Sequence, residues 1–243
     1  MANYGIQLYS LRDITKDDFE GALRIVAELG YTSVEPAGFF GHSAEDVANM
    51  LDRYHLTVSS THTGWKELTP DNLAETIRYH KTIGNPNIII PGADLSTPEK
   101  LDEFIDLLND VQPKLAAEGI ALGYHNHARE FELNSWGILT HTELEKRTQV
   151  EFQIDTYWAY VAGLDPVETI TRLRDRIRYI HLKDGTKTKG LALGEGTAPV
   201  AAVRKKAIEL GFGMVVESEG CDPTGAEEVG RCIKYLRTLD AQD

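Results

Sequence analysis

Short apolar runs alternate with amphipathic stretches along the whole chain. A run such as Asn87–Pro91 is continuous and short and is bounded by polar residues, which indicates a buried strand rather than a helix. The same pattern recurs at regular intervals and predicts strands at Tyr4–Tyr9, Ser33–Pro36, Thr57–Thr61, Asn87–Pro91, Ile120–His125, Val150–Asp155, Ile177–Leu182 and Gly213–Glu217.

The stretches between these runs show helical periodicity. Leu101, Phe104, Ile105 and Leu108 follow one another at spacings of three, one and three, so they share one helix face. Comparable patterns predict helices at Asp17–Leu29, Ala44–Tyr54, Asp71–Ile83, Pro98–Ala117, Pro166–Arg174, Val200–Leu210 and Gly225–Leu239. The polar stretch Phe131–Gln149 leaves room only for a short helix near Thr140–Lys146.

Helix boundary signals agree with these positions. Thr97 precedes Pro98 and Glu99, the order expected at a helix start. Four glycines stand where a helix ends before a strand: Gly30, Gly84, Gly119 and Gly211. Regular alternation implies parallel strands joined by right-handed helical crossovers. Eight strands separated by helices predict a single (β/α)8 TIM barrel, an α/β domain covering residues 1–243.

Composition narrows the class of protein. Cys221 and Cys232 are the two cysteines, too few for a disulfide framework or a thiolate metal site. A formal net charge of −13 disfavours nucleic acid as a partner. The first residues resemble a strand rather than a signal sequence, and no apolar run approaches the roughly 20 residues of a membrane span. We therefore expect a cytoplasmic enzyme with a small-molecule substrate; a homo-oligomer is an open possibility.

Metal-binding residue types gather at the ends of the later predicted strands. These strand ends lie in the stretches YHNHAREF (124–131), QIDTYW (153–158), YIHLKD (179–184) and VVESEG (215–220). In a (β/α)8 barrel the carboxyl ends of the strands meet at one mouth, so these side chains are expected to converge. Residues two apart share a strand face, which pairs His125 with His127 and His181 with Lys183.

A buried carboxylate at a strand end is costly unless a partner compensates it, and a divalent ion is one such partner. Asp155 and Glu217 each close an apolar run. Carboxylates mixed with imidazoles suit Mn²⁺, Co²⁺, Zn²⁺ or Mg²⁺. The pattern therefore predicts one divalent ion at the mouth of the barrel.

The earlier strands add candidate substrate-binding residues. Gln7, Glu35 and His62 lie in or directly after predicted strands, where hydrogen bonds to a polyol and metal ligation are both open. Trp158, like Trp65 and Phe39, is a candidate for lining a sugar pocket or simply for packing. The glycine-containing segment Leu191–Pro199 is a candidate mobile flap.

These motifs resemble the sugar phosphate isomerase/epimerase superfamily, the xylose isomerase-like TIM barrels. The resemblance rests on GIQLYSLRD, YHNHxxEF, IDTYW, IHLKD, the GEG loop and VVESEG, and it covers nearly the whole chain. It implies a divalent metal held by an acid of strand five, together with Asp155, His181 and Glu217. At the strand-five position this chain has His125, so the fourth ligand is either His125 or Glu130, with Glu130 slightly favoured.

The resemblance also implies proton abstraction next to a sugar carbonyl, through an enediolate. Glu217, His125 or His127 would move the proton, and Lys183 would assist the developing oxyanion. The leading hypothesis is a sugar isomerase or epimerase. A lyase or dehydratase acting on a keto-sugar or inositol ketone can use the same site. An apurinic endonuclease and a non-catalytic sugar-binding subunit are weaker alternatives, and no arginine cluster predicts a phosphate pocket.

Overall fold

The computed structural model describes residues 2–242, and a parallel barrel forms its centre. Its strands are β1 (Tyr4–Gln7), β2 (Ser33–Glu35), β3 (Thr57–Val58), β4 (Thr61–His62), β5 (Asn87–Ile90), β6 (Ala121–His125), β7 (Glu151–Asp155), β8 (Ile177–Leu182), β9 (Asp184–Gly185), β10 (Gly190–Leu191) and β11 (Gly213–Val216). All except the antiparallel pair β9–β10 belong to one sheet, in the order β3-β2-β1-β11-β8-β7-β6-β5-β4.

The two ends of this sheet belong to one extended stretch, residues 57–62. Its first half, β3, pairs with β2, and its second half, β4, pairs with β5. The His62 N–H also donates to the Pro36 carbonyl at 2.9 Å, which continues the contact with the β2 side. Counted as one strand, this stretch gives the eight positions of a (β/α)8 barrel, so the predicted TIM-barrel fold is confirmed.

The first and last barrel strands lie side by side. Ile6 of β1 is in register with Val216 of β11. Gln7 and Glu217 therefore come from neighbouring strands, as the barrel hypothesis predicts. Their side chains enter the same end of the barrel because each follows that register position directly.

Helices surround the barrel, mostly where the periodicity predicts them. They are α1 (Arg12–Thr15), α2 (Phe19–Glu28), α3 (Ala44–Arg53), α4 (Leu73–Thr82), α5 (Pro98–Ala117), α6 (Thr140–Arg147), α7 (Thr156–Val161), α8 (Pro166–Arg172), α9 (Val200–Leu210) and α10 (Gly225–Asp240). The Thr97 hydroxyl caps α5 by accepting from the Lys100 N–H at 3.3 Å. Gly211 ends α9 at φ 75°, the left-handed conformation that favours glycine.

The apolar core lies between the barrel wall and the helices. Strands β1 and β5 are buried at every position, and Ile6, Val34, Ile88 and Ile180 are wholly inaccessible to solvent. Burial on both faces explains the continuous apolar run of three isoleucines in β5. No helix within residues 2–242 is long and apolar enough to cross a membrane.

The segment predicted as a flap is held in place by Asp184. The carboxylate of Asp184 accepts hydrogen bonds from the N–H groups of Gly194 (2.9 Å), Gly196 (3.1 Å) and Ala198 (3.1 Å). Asp184 therefore holds this loop through its carboxylate. It belongs to the strand-end stretch YIHLKD (179–184), but its carboxylate is used for these loop bonds.

Candidate metal centre and substrate cavity

Four buried side chains from successive barrel strands converge at the carboxyl end of the barrel. Their potential ligand atoms lie within 4.8 Å of one another, and they belong to His125, Asp155, His181 and Glu217. None is more than 4% exposed. Three of these residues are predicted ligands, and the fourth is the strand-five histidine rather than Glu130.

The Asp155 carboxylate has one oxygen in use and one free. Its Oδ1 caps α7 by accepting from the Trp158 N–H at 2.9 Å. Its Oδ2 is buried and has no hydrogen-bond partner among the described residues. Burial raises the pKa of Asp155 to about 7 even though the Lys183 ammonium opposes the shift. A cation beside Oδ2 would remove this penalty, so the residue fits a metal ligand.

Asn126 fixes the backbone at Asp155. Its side-chain oxygen accepts from the Asp155 N–H at 3.0 Å, and its side-chain nitrogen donates to the Asp155 carbonyl at 3.3 Å. These two bonds join the residue directly after β6 to the last residue of β7.

His181 lies between two carboxylates. Its Nε2 is 2.7 Å from Glu35 Oε1, and its Nδ1 is 3.3 Å from Glu217 Oε2. Burial disfavours the imidazolium, but Glu35 and Glu217 outweigh it and raise the pKa of His181 to about 10. A carboxylate on the far ring nitrogen is the usual way in which proteins orient a metal-binding histidine.

Glu35 is the centre of a polar layer directly beneath the four converging side chains. Besides His181, its carboxylate accepts from Gln7 Nε2 (2.6 Å), Gln153 Nε2 (2.5 Å) and the Ser60 hydroxyl. Burial opposes ionisation, yet His62 and His181 lower the pKa of Glu35 to about 2. Glu35 is completely buried, so it has no exposed edge for a substrate.

Gln153 extends this layer to the other histidines. Its Oε1 lies 3.1 Å from His125 Nδ1 and 2.9 Å from His62 Nε2, and it can accept from both rings. Its Nε2 donates to Glu35, which fixes the direction of the amide. Sequence reasoning gave Gln153 no role, although its position two residues before Asp155 places it on the same strand face.

His125 therefore has Nε2 available for a ligand. Burial, together with the nearby His181 and His62, holds the pKa of His125 well below its usual value. A neutral imidazole with one ring nitrogen committed to a hydrogen bond is the form that binds metal ions. A second close group of possible ligand atoms is formed by His62, His125 and His181. In this group the Nε2 of His62 is already in contact with Gln153 and Glu35, so that nitrogen is not available to a metal ion.

Lys183 lies against two carboxylates. Its ammonium is 3.2 Å from Glu217 Oε2 and 2.5 Å from Glu219 Oε2. Burial would weaken the charge, but Glu217, Asp155 and Glu219 raise the pKa of Lys183 above its usual value. Burial likewise opposes ionisation of Glu217, yet Lys183 and His181 hold its pKa well below the usual range. Glu217 is thus an ionised carboxylate.

A cavity of about 780 Å³ opens above this cluster. It is lined by Tyr9, Ala37, Gly38, Phe39, His62, Thr63, Gly64, Glu67, Glu75, Thr76, Tyr79, His80, Pro91, His125, His127, Glu217 and Glu219. Among the four predicted substrate-binding residues, only His62 is part of this lining. Gln7 and Glu35 lie beneath it, and Trp158 packs beside Lys183, whose ammonium is 4.9 Å from the indole centre.

His127 and Glu130 occupy different environments. His127 lines the cavity, has a buried Nδ1 without a partner among the described residues, and has its pKa lowered mainly by burial. Glu130 is buried in the turn after β6. It accepts from the His127 N–H (2.8 Å), Arg129 Nε (2.8 Å) and the Tyr124 hydroxyl (3.2 Å). The structure therefore places Glu130 outside both groups of possible metal ligands.

Comparisons with known proteins agree with this architecture. The curated inosose dehydratase of Geobacillus kaustophilus (strain HTA426) is 26% identical over 183 residues, 65% of this chain, and the match spans 59% of that relative. A solved sugar phosphate isomerase/epimerase from Parabacteroides distasonis ATCC 8503 is 26% identical, with TM-score 0.80 over 97% of this chain and 94% of that one. The probable 3-DHS dehydratase of Bacillus anthracis shares the fold at 13% identity, with TM-score 0.78 over 97% and 99% of the two chains.

The sequence pattern that describes the xylose isomerase-like TIM barrels matches residues 23–239. This stretch contains every strand from β2 to β11, and with them all four converging side chains. The chain therefore belongs to the xylose isomerase-like TIM barrel family, the family of sugar phosphate isomerases and epimerases.

Proposed function

We propose that this protein is a divalent-metal-dependent sugar isomerase or epimerase that removes a proton next to a sugar carbonyl. The observation that carries the proposal is the free, buried Oδ2 of Asp155 within a cluster of two imidazoles and two carboxylates. Such a donor set suits Mn²⁺, Co²⁺, Zn²⁺ or Mg²⁺, and family membership supports a sugar-like substrate.

We assign the ligands as His125, Asp155, His181 and Glu217. Glu130 is left out of this set because its carboxylate is already bonded to a guanidinium, a phenol and a backbone N–H. When bound, the ion supplies Lewis-acid polarisation of the substrate carbonyl.

The chain's own residues then move the proton. His127 is neutral because burial lowers its pKa, and it lines the cavity without belonging to the ligand group, so it is free to accept a proton. Glu217 is ionised, lines the same cavity and is the second candidate base. Lys183 keeps Glu217 charged and oriented, so its role is to position this second candidate base.

A dehydratase or lyase is the second candidate, favoured by the similarity to an inosose dehydratase. The first step is the same proton abstraction, but the resulting anion then expels a substituent from the neighbouring carbon. The two reactions differ in product: isomerisation and epimerisation keep the substrate's mass, whereas elimination of water produces an unsaturated ketone that absorbs in the ultraviolet.

The test is exchange of the proton next to the carbonyl in D₂O. The metal-loaded protein is incubated with a panel of unphosphorylated keto-sugars and inositol ketones. The metal is then chelated and the exchange is measured by NMR. The metal content of each variant is determined in parallel. Asp155→Asn should lose both metal and exchange. His127→Ala should keep the metal and lose about 10²–10⁴ in exchange rate, the usual cost of removing a positioned base.

Two further variants complete the experiment. His55→Asn alters an exposed histidine and should leave exchange unchanged. Glu130→Gln should keep the metal if His125 is the fourth ligand, and its metal loss would reassign the site to Glu130. Full exchange in both Asp155→Asn and His127→Ala would contradict the proposed function.

A further inference from the structure

The cavity is much larger than the ligand cluster at its inner end. Its volume of about 780 Å³ lies in the upper part of the range of roughly 300–1,000 Å³ that encloses drug-sized ligands. A single sugar ring is smaller than such a ligand. One ring placed against His125 and Glu217 therefore leaves the outer part of the cavity unfilled.

The outer part is formed by elements that carry none of the proposed metal ligands. One wall is the loop after β2. The other is a face of α4 that carries Thr76, Tyr79 and His80. Tyr79 and His80 follow Thr76 by three and four residues, so all three lie on the same side of the helix. The rings of Phe39 and Tyr79 meet across these walls, with centres 4.5 Å apart. The Tyr79 hydroxyl donates to the His42 carbonyl at 2.9 Å, which fixes the ring.

A further aromatic residue stands at the rim. Tyr9 is 46% exposed and lines the same cavity. Together, Tyr9, Phe39 and Tyr79 with Glu67 form what we call the outer subsite. Aromatic faces beside hydrogen-bond acceptors match a sugar ring, which has apolar C–H faces and hydroxyl donors at its edge.

The charge of the lining disfavours a phosphorylated ligand in this region. Among the described residues, the cavity lining contains no lysine or arginine, while it contains four glutamates. Glu75 is paired with Arg78, and Glu217 and Glu219 are paired with Lys183, but neither Arg78 nor Lys183 is part of the lining. In the outer part, a phosphate would meet the Glu67 carboxylate with no lysine or arginine of the lining to bind it, whereas neutral hydroxyls can donate to Glu67.

We propose that the outer subsite binds a second sugar ring, so that the substrate is an unphosphorylated keto-disaccharide or keto-glycoside. This inference rests on the proposed function, because the ring that carries the carbonyl must occupy the inner end. The second ring stacks on Tyr79 and Phe39, and its hydroxyls donate to Glu67.

The experiment is calorimetric titration of the Mn²⁺-loaded protein with three ketoses: fructose, fructose 6-phosphate and lactulose, a neutral disaccharide with a ketose at its reducing end. Lactulose should bind about 10-fold more tightly than fructose, the gain expected of one aromatic stacking contact. Fructose 6-phosphate should bind no more tightly than fructose. Tyr79→Ala should abolish the advantage of lactulose and leave the Kd of fructose unchanged.

Control variants separate a stacking role from a structural one. Tyr79→Phe keeps the ring but loses the bond to His42, so it should retain the advantage of lactulose. Tyr160→Ala removes an aromatic ring outside the cavity lining and should change neither Kd. If fructose binds but lactulose binds no more tightly, or if fructose 6-phosphate binds best, the outer subsite is refuted while the proposed function stands. If none of the three ketoses binds, the outer subsite is likewise refuted, and proton exchange in D₂O decides the proposed function separately.

Discussion

At the scale of single residues, Glu35 determines how the imidazoles face the candidate metal centre. It is bonded directly to His181 and reaches His125 through Gln153. In both rings, the nitrogen that faces this polar layer is committed to a hydrogen bond. The other nitrogen is Nε2 in His125 and Nδ1 in His181, and the latter faces Glu217, itself a proposed ligand. Glu35 is thus a positioning residue in our proposal, rather than the substrate-binding residue that its strand-end position suggests.

Glu35→Gln tests this role. The substitution keeps the shape of the side chain but removes the anionic acceptor of His181, so the affinity for a divalent ion should fall about 10–100-fold. Competition with a chromophoric chelator measures the affinity, and circular dichroism checks the fold. Glu67→Gln, in the cavity lining but outside the ligand cluster, should bind metal like the parent protein. Equal affinities in the two variants would exclude the positioning role.

At the scale of elements, periodicity predicts most strands and helices because each buries a continuous or periodic apolar face. It misses α7, which begins directly after β7, because Asp155 both ends the strand and caps the helix. It also leaves the fourth ligand undecided, since the conformation of the turn after β6 determines where Glu130 points. The aromatic wall of Phe39 and Tyr79 joins residues distant in sequence, so no local pattern predicts it.

The loop held by Asp184 yields a test at this scale. A Cβ added at Gly196 would lie 2.2 Å from Asp184 Oδ1 and 2.3 Å from the backbone nitrogen of Gly185. Gly196→Ala should therefore lower the free energy of unfolding by about 1–3 kcal/mol, as measured by urea denaturation. Gly190→Ala is the matched control, because its Cβ would meet no atom within 4 Å. Equal stability of the two variants would contradict a tightly anchored loop.

At the scale of the whole molecule, a buried cluster ties the first strand to the last helix. The Tyr4 hydroxyl donates to Asp240 Oδ1 at 2.7 Å and accepts from Arg204 Nε at 2.7 Å. Arg204 and Arg237 also donate to the Asp240 carboxylate, at 2.5 and 3.0 Å. Burial opposes the charge, but these bonds lower the pKa of Asp240 from 3.8 to about 2.

This depressed pKa predicts a dependence of stability on pH. The ionised Asp240 carboxylate should contribute at most about 2 kcal/mol to the free energy of unfolding. This contribution should be complete above about pH 4 and should disappear as the pH falls through about 2. Urea denaturation of the parent protein and Asp240→Asn should therefore give stabilities that differ at pH 7 and converge near pH 2. Asp175→Asn, at a side chain 88% exposed, should match the parent protein throughout. A difference between the parent and Asp240→Asn that stays constant with pH would contradict the assignment.

The pairing of β1 with β11 also sets an order of events during synthesis. Ile6 of β1 is paired with Val216 of β11, so β1 leaves the ribosome long before β11 and remains without this neighbour until residue 216 has been synthesised. The proposed ligands extend from residue 125 to residue 217, so a nascent chain cannot hold a complete metal site before its last barrel strand emerges. Contacts this distant in sequence slow folding. Loading with metal should accordingly be a late, post-translational step.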